Sequence, residues 1–281
     1  MARFDLAQMA RRTRNIRRSS IVLRDIVPPS TLATDLFRAC YLPVITAWTD
    51  ALPRIEAAYA RSLSEITQDS PADVRAEIDG AAAAIDRLLL VLTPELRRWA
   101  ISVERWQRRK FIGAVLSATS VDLTTMIGPE DARQTLEQAV EWNTSLIRDV
   151  SDQARQRIGN IVFDGLRNRK PATEVAKGLR EAVDMSRRRS VNIAADQMQK
   201  LTGSLADERR RAAGITAWEW VHSRKAHPRA RHVERSGNYY SDNPADVGKV
   251  LNGKTLLAPP EDRPSQLPWC GCRSKSVISF D

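Results

Sequence analysis

The chain has 281 residues, enough for one large domain or two ordinary ones. Its residues are 42% hydrophobic and 28% charged, a balance that suits long helices with much exposed surface and argues against a large enzyme core. Forty-four Lys and Arg against 34 Asp and Glu leave a net charge of +10. Such a surplus points to a polyanionic neighbour: nucleic acid, an anionic membrane or an acidic protein surface. Three cysteines, one far from the other two, exclude a secreted disulfide framework. No apolar run approaches the roughly twenty residues of a membrane span, and none of signal-peptide length follows the basic start. The sequence therefore reads as a soluble protein made in a cytoplasm.

Residues 1–29 read as a basic N-terminal arm. Arg11, Arg12, Arg14, Arg17 and Arg18 belong to a run whose only acid before Asp25 is Asp5. Such a run repels itself and is expected to be mobile or a solvated helix face, suited to nonspecific contact with DNA or acidic protein. Pro28-Pro29 ends it.

A helical region over 30–127 follows. Leu32, Leu36, Ala39 and Cys40 form one apolar stripe, which makes Cys40 a buried, inert thiol. Pro43 and Pro53 are expected to kink or break the helix before Ile55, Ala58, Tyr59, Leu63 and Ile66 resume it. Val74, Ile78, Ala81, Ile85, Leu88 and Leu92 give a further helix, and Thr93-Pro94 looks like the start of another. Its Arg105-Trp106-Gln107-Arg108-Arg109-Lys110 run is basic and aromatic, with Trp99 and Trp106 expected to pack inward.

Gly128-Pro129 opens a long helical hairpin region over 128–213. Leu136, Val140, Asn143, Ile147, Val150, Ala154 and Ile158 make a narrow seam in which Asn143 is a candidate for fixing register. Arg167 to Pro171 breaks it. A short helix over 173–183 and a long one over 186–213 then follow, the second with Val191, Ala194, Ala195, Met198, Leu201 and Leu205 inward. Arg187, Arg188, Arg189, Arg209, Arg210 and Arg211 cluster near the ends of the long helix and are the further candidates for nucleic-acid contact. Gly214 terminates it.

Residues 214–281 form the small C-terminal module. All three histidines, two of the three cysteines and three of the seven tryptophans lie in it. Periodicity changes here from helical to alternating: Trp218, Trp220 and His222 face one way, and Ala217, Glu219 and Val221 the other. Gly237-Asn238 marks a turn into a second strand at Tyr239-Tyr240, and Cys272 to Phe280 makes a closing strand. So small a module benefits from a staple. His227, His232, Cys270 and Cys272 supply the ligand types of a tetrahedral zinc site, although Cys-x-Cys is a tighter spacing than Cys-x-x-Cys. The bland alternative keeps the thiols as small buried hydrophobes and the imidazoles as hydrogen-bonding groups. A Cys270–His232 nucleophile lacks a recognisable local context. A metal-dependent nuclease built on the histidines, Asn238 and Asp242 rests on residue types alone.

The order of these motifs resembles the phage Mu F-like minor head proteins, the phage head morphogenesis family. The residues that carry the resemblance are the long helix over 187–213, Gly214-Ile215, Trp218-Glu219-Trp220, His227-Pro228-Arg229, His232, Gly237, Pro259-Pro260 and Cys270-Gly271-Cys272-Arg273. It covers about 135–281. The chain departs from the pattern at Ala194-Ala195-Asp196-Gln197, where the family often has an Arg-Thr-Glu-like run, and at Ser223-Arg224-Lys225, where it often has Asp. The resemblance implies a structural, non-enzymatic role inside the capsid near the portal vertex. The implied partners are portal protein, major capsid protein and packaged DNA. The expected fold is mainly α: an elongated helical N-terminal body followed by a small α+β module, with copies associating through helices. A metal-dependent nuclease in the module and a host nucleic-acid-binding protein are the alternatives.

Overall fold

A computed structural model describes residues 2–13, 18–64 and 70–280. Helix α1 (Leu6–Thr13) precedes strand β1 (Ser20–Val22), and α2 (Ser30–Leu36) passes through a π-helical turn at Phe37–Tyr41 into α3 (Leu42–Ser64). The long helices are α4 (Ser70–Thr119), α5 (Arg133–Asn168) and α6 (Ala172–Ala212). After them come β2 (Ala217–Val221), α7 (Ala230–Glu234), β3 (Tyr239–Ser241), β4 (Val250–Leu251), β5 (Lys254–Leu257) and β6 (Arg273–Ser279). The protein is mainly α, with long helices in its N-terminal body and a small strand-containing C-terminal module. Among the described residues no helix is long and apolar enough to cross a membrane.

The expected breaks at the prolines do not occur. Before Pro43 the π turn, closed by the Leu42 N–H on the Phe37 carbonyl, takes up one extra residue. That moves the proline ring away from the carbonyl it would meet in an unbroken α-helix. Pro53 lies inside α3 and Pro94 inside α4. Thr93 caps no new helix; its hydroxyl donates back to the Leu89 carbonyl at 3.2 Å. Ile85, Leu89 and Leu92 before Pro94, and Leu96, Trp99 and Val103 after it, are all buried. A continuous buried stripe of that length outweighs the roughly 3 kcal/mol that an internal proline costs. In the same way the helix expected over 173–183 is continuous with its successor in α6.

The chain divides into two compact units that cut across the linear division into 1–29, 30–127, 128–213 and 214–281. One unit comprises Thr31–Trp99 and Gln138–Ala195; the other comprises Met1–Ser30, Ala100–Glu137 and Asp196–Asp281. In the first, the expected α5 seam is buried at Val140, Asn143, Ile147, Val150, Ala154 and Ile158. Asn143 is satisfied there: Tyr41 Oη donates to its Oδ1 at 3.2 Å, and its Nδ2 donates to the Ala139 carbonyl at 2.8 Å. Trp48 Nε1 donates to Ser151 Oγ at 3.2 Å, adding a second polar pin to the core. Cys40 is buried as expected, and burial pushes its thiol up to about 12. On α6, Val191 and Ala195 face outward, a departure from the expected stripe.

In the other unit the strands form one sheet of order β1-β6-β2-β3-β5-β4. Strand β6 pairs antiparallel with both β1 and β2, with Trp218 opposite Ser276 and Trp220 opposite Ser274. Alternation then sorts the side chains. Ala217, Tyr239, Leu251, Leu256 and Val277 make one cluster, and Trp218, Trp220, Tyr240, Cys270 and Cys272 another.

Residues 2–13 and 18–29 are therefore no free arm. Leu6 and Ala10 are buried with Leu23, Phe111, Val115, Ile215 and Phe280. The Arg3 and Leu6 N–H groups bond the Ala212 and Ala213 carbonyls at 2.9 and 3.1 Å. Leu6 and Ala10 stand four apart on one helix face, an apolar signal that the surrounding arginines obscure. Arg14 and Arg17 lie outside the described residues.

Candidate metal centre

Helix α6 ends in a Schellman cap. The Ile215 N–H bonds the Arg210 carbonyl at 2.9 Å and the Gly214 N–H bonds that of Arg211 at 3.2 Å, with Gly214 at φ +67. That cap turns the chain into β2, which carries Trp218 and Trp220 on the face of the cysteines. The Gly237 N–H returns to the Trp220 carbonyl at 2.8 Å, so the intervening segment, including α7, closes into a loop beside β2. His232 on α7 is thereby brought to the Cys-x-Cys pair just before β6.

The ligand atoms of His232, Cys270 and Cys272 lie within 4.8 Å of one another. His232 Nδ1 is 3.5 Å from Cys270 Sγ and 3.6 Å from Cys272 Sγ. All three residues are buried, at 3%, 3% and 2% exposure. On the far side of the imidazole, Nε2 is 2.7 Å from Asp262 Oδ2, and Asp262 Oδ1 takes a 2.6 Å hydrogen bond from Arg235. Burial pushes the Asp262 carboxyl up, but the hydrogen bonds from Arg235 and His232 outweigh it and hold it below the usual carboxylate range. A proton on Nε2 facing this carboxylate leaves the Nδ1 lone pair directed at the two thiols. Trp220 packs edge-on against the imidazole at 5.1 Å.

The thiols are asymmetric. A hydrogen bond from Cys272, aided by backbone groups of Cys272 and Ser265, holds the Cys270 thiol below its usual range against the effect of burial. The same thiol–thiol hydrogen bond, together with burial, pushes Cys272 up. The Trp220 Nε1–H is buried and has no hydrogen-bond partner.

Asp262, His232 and Cys270 form a line that also suits a nucleophile–imidazole–carboxylate triad. Two features suit a metal site better than a nucleophile. A second sulfur sits at nearly the same distance from the same nitrogen, and both thiols are closed off from solvent. Two thiolates and a neutral imidazole, by contrast, would balance the charge of a dication, and a metal held there would lower the cost of burying the group. The donor set fits a soft or borderline metal. If the carboxylate sets the imidazole tautomer, Asp262→Asn should weaken metal affinity about 10- to 100-fold while leaving the fold intact, read by competition with a chromogenic chelator.

Of the four ligands expected from the sequence, three come together. His227 is exposed and stands outside the group. Four residues separate it from His232, and only His232 lies on α7 facing the cysteines. Asp262, Arg235 and Trp220 were not legible as supports, because Asp262 lies in a Pro-rich loop without periodicity.

The candidate nucleic-acid arginines divide differently. Arg11, Arg12, Arg18, Arg187, Arg188 and Arg211 are exposed. Arg189 is half-buried and donates to Asp149 at 2.9 Å. Arg209 and Arg210 are unavailable to a polyanion, being 3% and 1% exposed. They pair with Glu104 at 2.8 Å and Asp207 at 2.6 Å, and Arg210 also lies 5.4 Å over the Trp218 ring. The triple-Arg run therefore turns two of its side chains inward.

No family model and no solved structure matches the chain. It is 23% identical over 155 residues to an uncharacterized protein of Haemophilus influenzae, which covers 53% of this chain. The chain spans only 35% of the length of that relative.

Proposed function

We propose that the protein is a phage minor head protein of the Mu F-like kind, whose C-terminal module is stapled by one zinc ion. It acts in head assembly at the portal vertex and contacts DNA nonspecifically. The observation that carries this reading is the structural work done by the residues of the resemblance. Gly214 caps α6, Trp218 and Trp220 wall the centre, Gly237 closes the loop that holds α7, and His232, Cys270 and Cys272 converge. Arg273 anchors β6 to Asp25 at 2.7 Å. A motif set spent on building a module fits an assembly protein, whose surface acts on partners. The metal would be held by His232, Cys270 and Cys272 and would supply a covalent-strength crosslink between α7 and the segment before β6.

The test is location. Particles purified after induction of a host carrying the gene should contain the protein at low copy with portal and coat protein. Its presence only in the free host fraction would overturn the assembly reading.

One observation favours a second reading. Three protein ligands leave a fourth position, the arrangement of catalytic zinc sites that hold a water. Incubation with plasmid DNA and divalent metals separates the two: cleavage lost in His232→Ala supports a nuclease, and intact plasmid supports the structural centre.

A further inference from the structure

The segment that the centre folds beside β6 carries its own surface. From His222 to Val233 there is no acid, while Arg224, Lys225, Arg229 and Arg231 are all exposed. Two of these cations reach across to the Pro268-Trp269 segment: Lys225 Nζ donates to the Trp269 carbonyl at 2.7 Å, and Arg229 donates to the Pro268 carbonyl at 2.9 Å. Both acceptors are neutral, so neither cation is neutralised there. Trp269 is 48% exposed and its backbone is held at φ 62. A bulky residue in that region is an outlier that its surroundings must impose. They do so on both sides: the Trp269 N–H bonds Asp196 Oδ1 at 2.6 Å, and Lys225 holds its carbonyl. Asp196 itself is buried and paired with Lys200 at 3.0 Å, so it adds little negative field at the surface. Gly271 completes the arrangement. A Cβ there would come within 2.9 Å of Ser223 Cβ and of Lys225 Cε, so the residue between the two thiols lets the basic segment lie against the Cys-x-Cys turn.

We propose that Trp269, with Lys225 and Arg229 held beside it and Arg224 and Arg231 exposed on the same basic segment, is a binding platform for single-stranded nucleic acid. The proposal rests on the reading of the protein as a DNA-contacting head component and names the surface that does it. A half-exposed indole on a backbone held at both its N–H and its carbonyl offers aromatic surface to an unstacked base, and the cations of the segment suit the phosphates. A duplex keeps its bases stacked and would use the charges alone. His232 and Cys270 sit beside the two segments of the platform, so a metal held by them would preorganise it.

The experiment is fluorescence anisotropy of the full chain with a labelled oligothymidylate and with a duplex containing the same labelled strand, over a range of salt. Trp269→Ala is expected to weaken single-strand binding about 5- to 150-fold and duplex binding far less. Arg224→Ala with Arg231→Ala should reduce the single-strand salt slope by about 1.4. Arg87→Ala with Arg97→Ala, exposed on the other unit and outside every candidate nucleic-acid site, should leave both unchanged. Equal single-strand affinity for Trp269→Ala and the parent, with unaltered melting, would overturn the platform while leaving a DNA-contacting protein. Loss in the Arg87/Arg97 variant as large as in the Arg224/Arg231 variant would do the same. A parent chain that binds neither oligonucleotide at low salt, or binds only anionic phosphatidylserine vesicles, would overturn both the platform and the DNA part of the functional reading.

Discussion

Cys270→Ser is expected to lose the metal and melt about 8–16 °C below the parent chain. The argument is one of linkage. A ligand that binds only the folded state at about a thousand times its dissociation constant adds about 4 kcal/mol. Each kcal/mol is worth about 2–4 °C in a domain of 150–250 residues. Serine keeps the size of cysteine but is a poor ligand for a soft or borderline metal, and two ligands do not hold a zinc ion tightly. Cys272→Ser should behave alike, and a strong chelator should move the parent chain to the same melting temperature as the variants. Cys40→Ala supplies the contrast. It removes a thiol that is just as buried but lies in the π-helical turn, so it should leave metal content unchanged. Differential scanning calorimetry with parallel metal analysis reads all four arms.

Glu104→Ala should destabilise the protein by about 3–5 kcal/mol, and replacing both partners by methionine should recover most of that loss. Glu104 is buried and takes Arg209 at 2.8 Å and Arg108 at 3.1 Å. Removing the carboxylate strands the Arg209 guanidinium, whose ionisation burial opposes and the Glu104 hydrogen bond only partly offsets. Arg209 Nε has no hydrogen-bond partner even with Glu104 present. Glu104→Met with Arg209→Met removes both charges and fills the space with flexible apolar groups. Chemical denaturation midpoints of the two variants test this, because an exposed pair would give less than about 1 kcal/mol in either.

How far the sequence revealed this molecule depended on the kind of signal. The α5 seam and the strand alternation at Trp218 and Trp220 were legible, since periodicity of burial is local and the residues carrying it are apolar. The continuity of α3 and α4 was not. Proline is a local penalty of a few kcal/mol, while the buried stripes that overrule it are read only by adding up both sides. The place of the N-terminus was hidden for a related reason. Charge dominates its composition, yet Leu6, Ala10 and Leu23 are enough to bury it, and its strand finds β6 more than 250 residues later in the chain.

The centre itself was half legible. His232, Cys270 and Cys272 stood out because thiols and imidazoles are rare in this chain. His227 had an equal claim by composition and lost it by position. Asp262 and Trp220 support the site through distances that only the fold sets. The arginines teach the converse: Arg209, Arg210 and Arg211 look alike in sequence, but helix geometry turns two of them inward to acids and leaves Arg211 outside. The basic segment from Arg224 to Arg231 holds one histidine, His227, beside four cations, and all five are exposed.

The most direct test of the metal centre is native mass spectrometry of the purified full chain, with the same sample repeated under denaturing conditions. One zinc ion per chain, retained in the native spectrum, lost on denaturation and missing from Cys270→Ser, is the expected result. A metal-free native chain, melting at the same temperature with and without chelator and unaltered by added zinc, would contradict it.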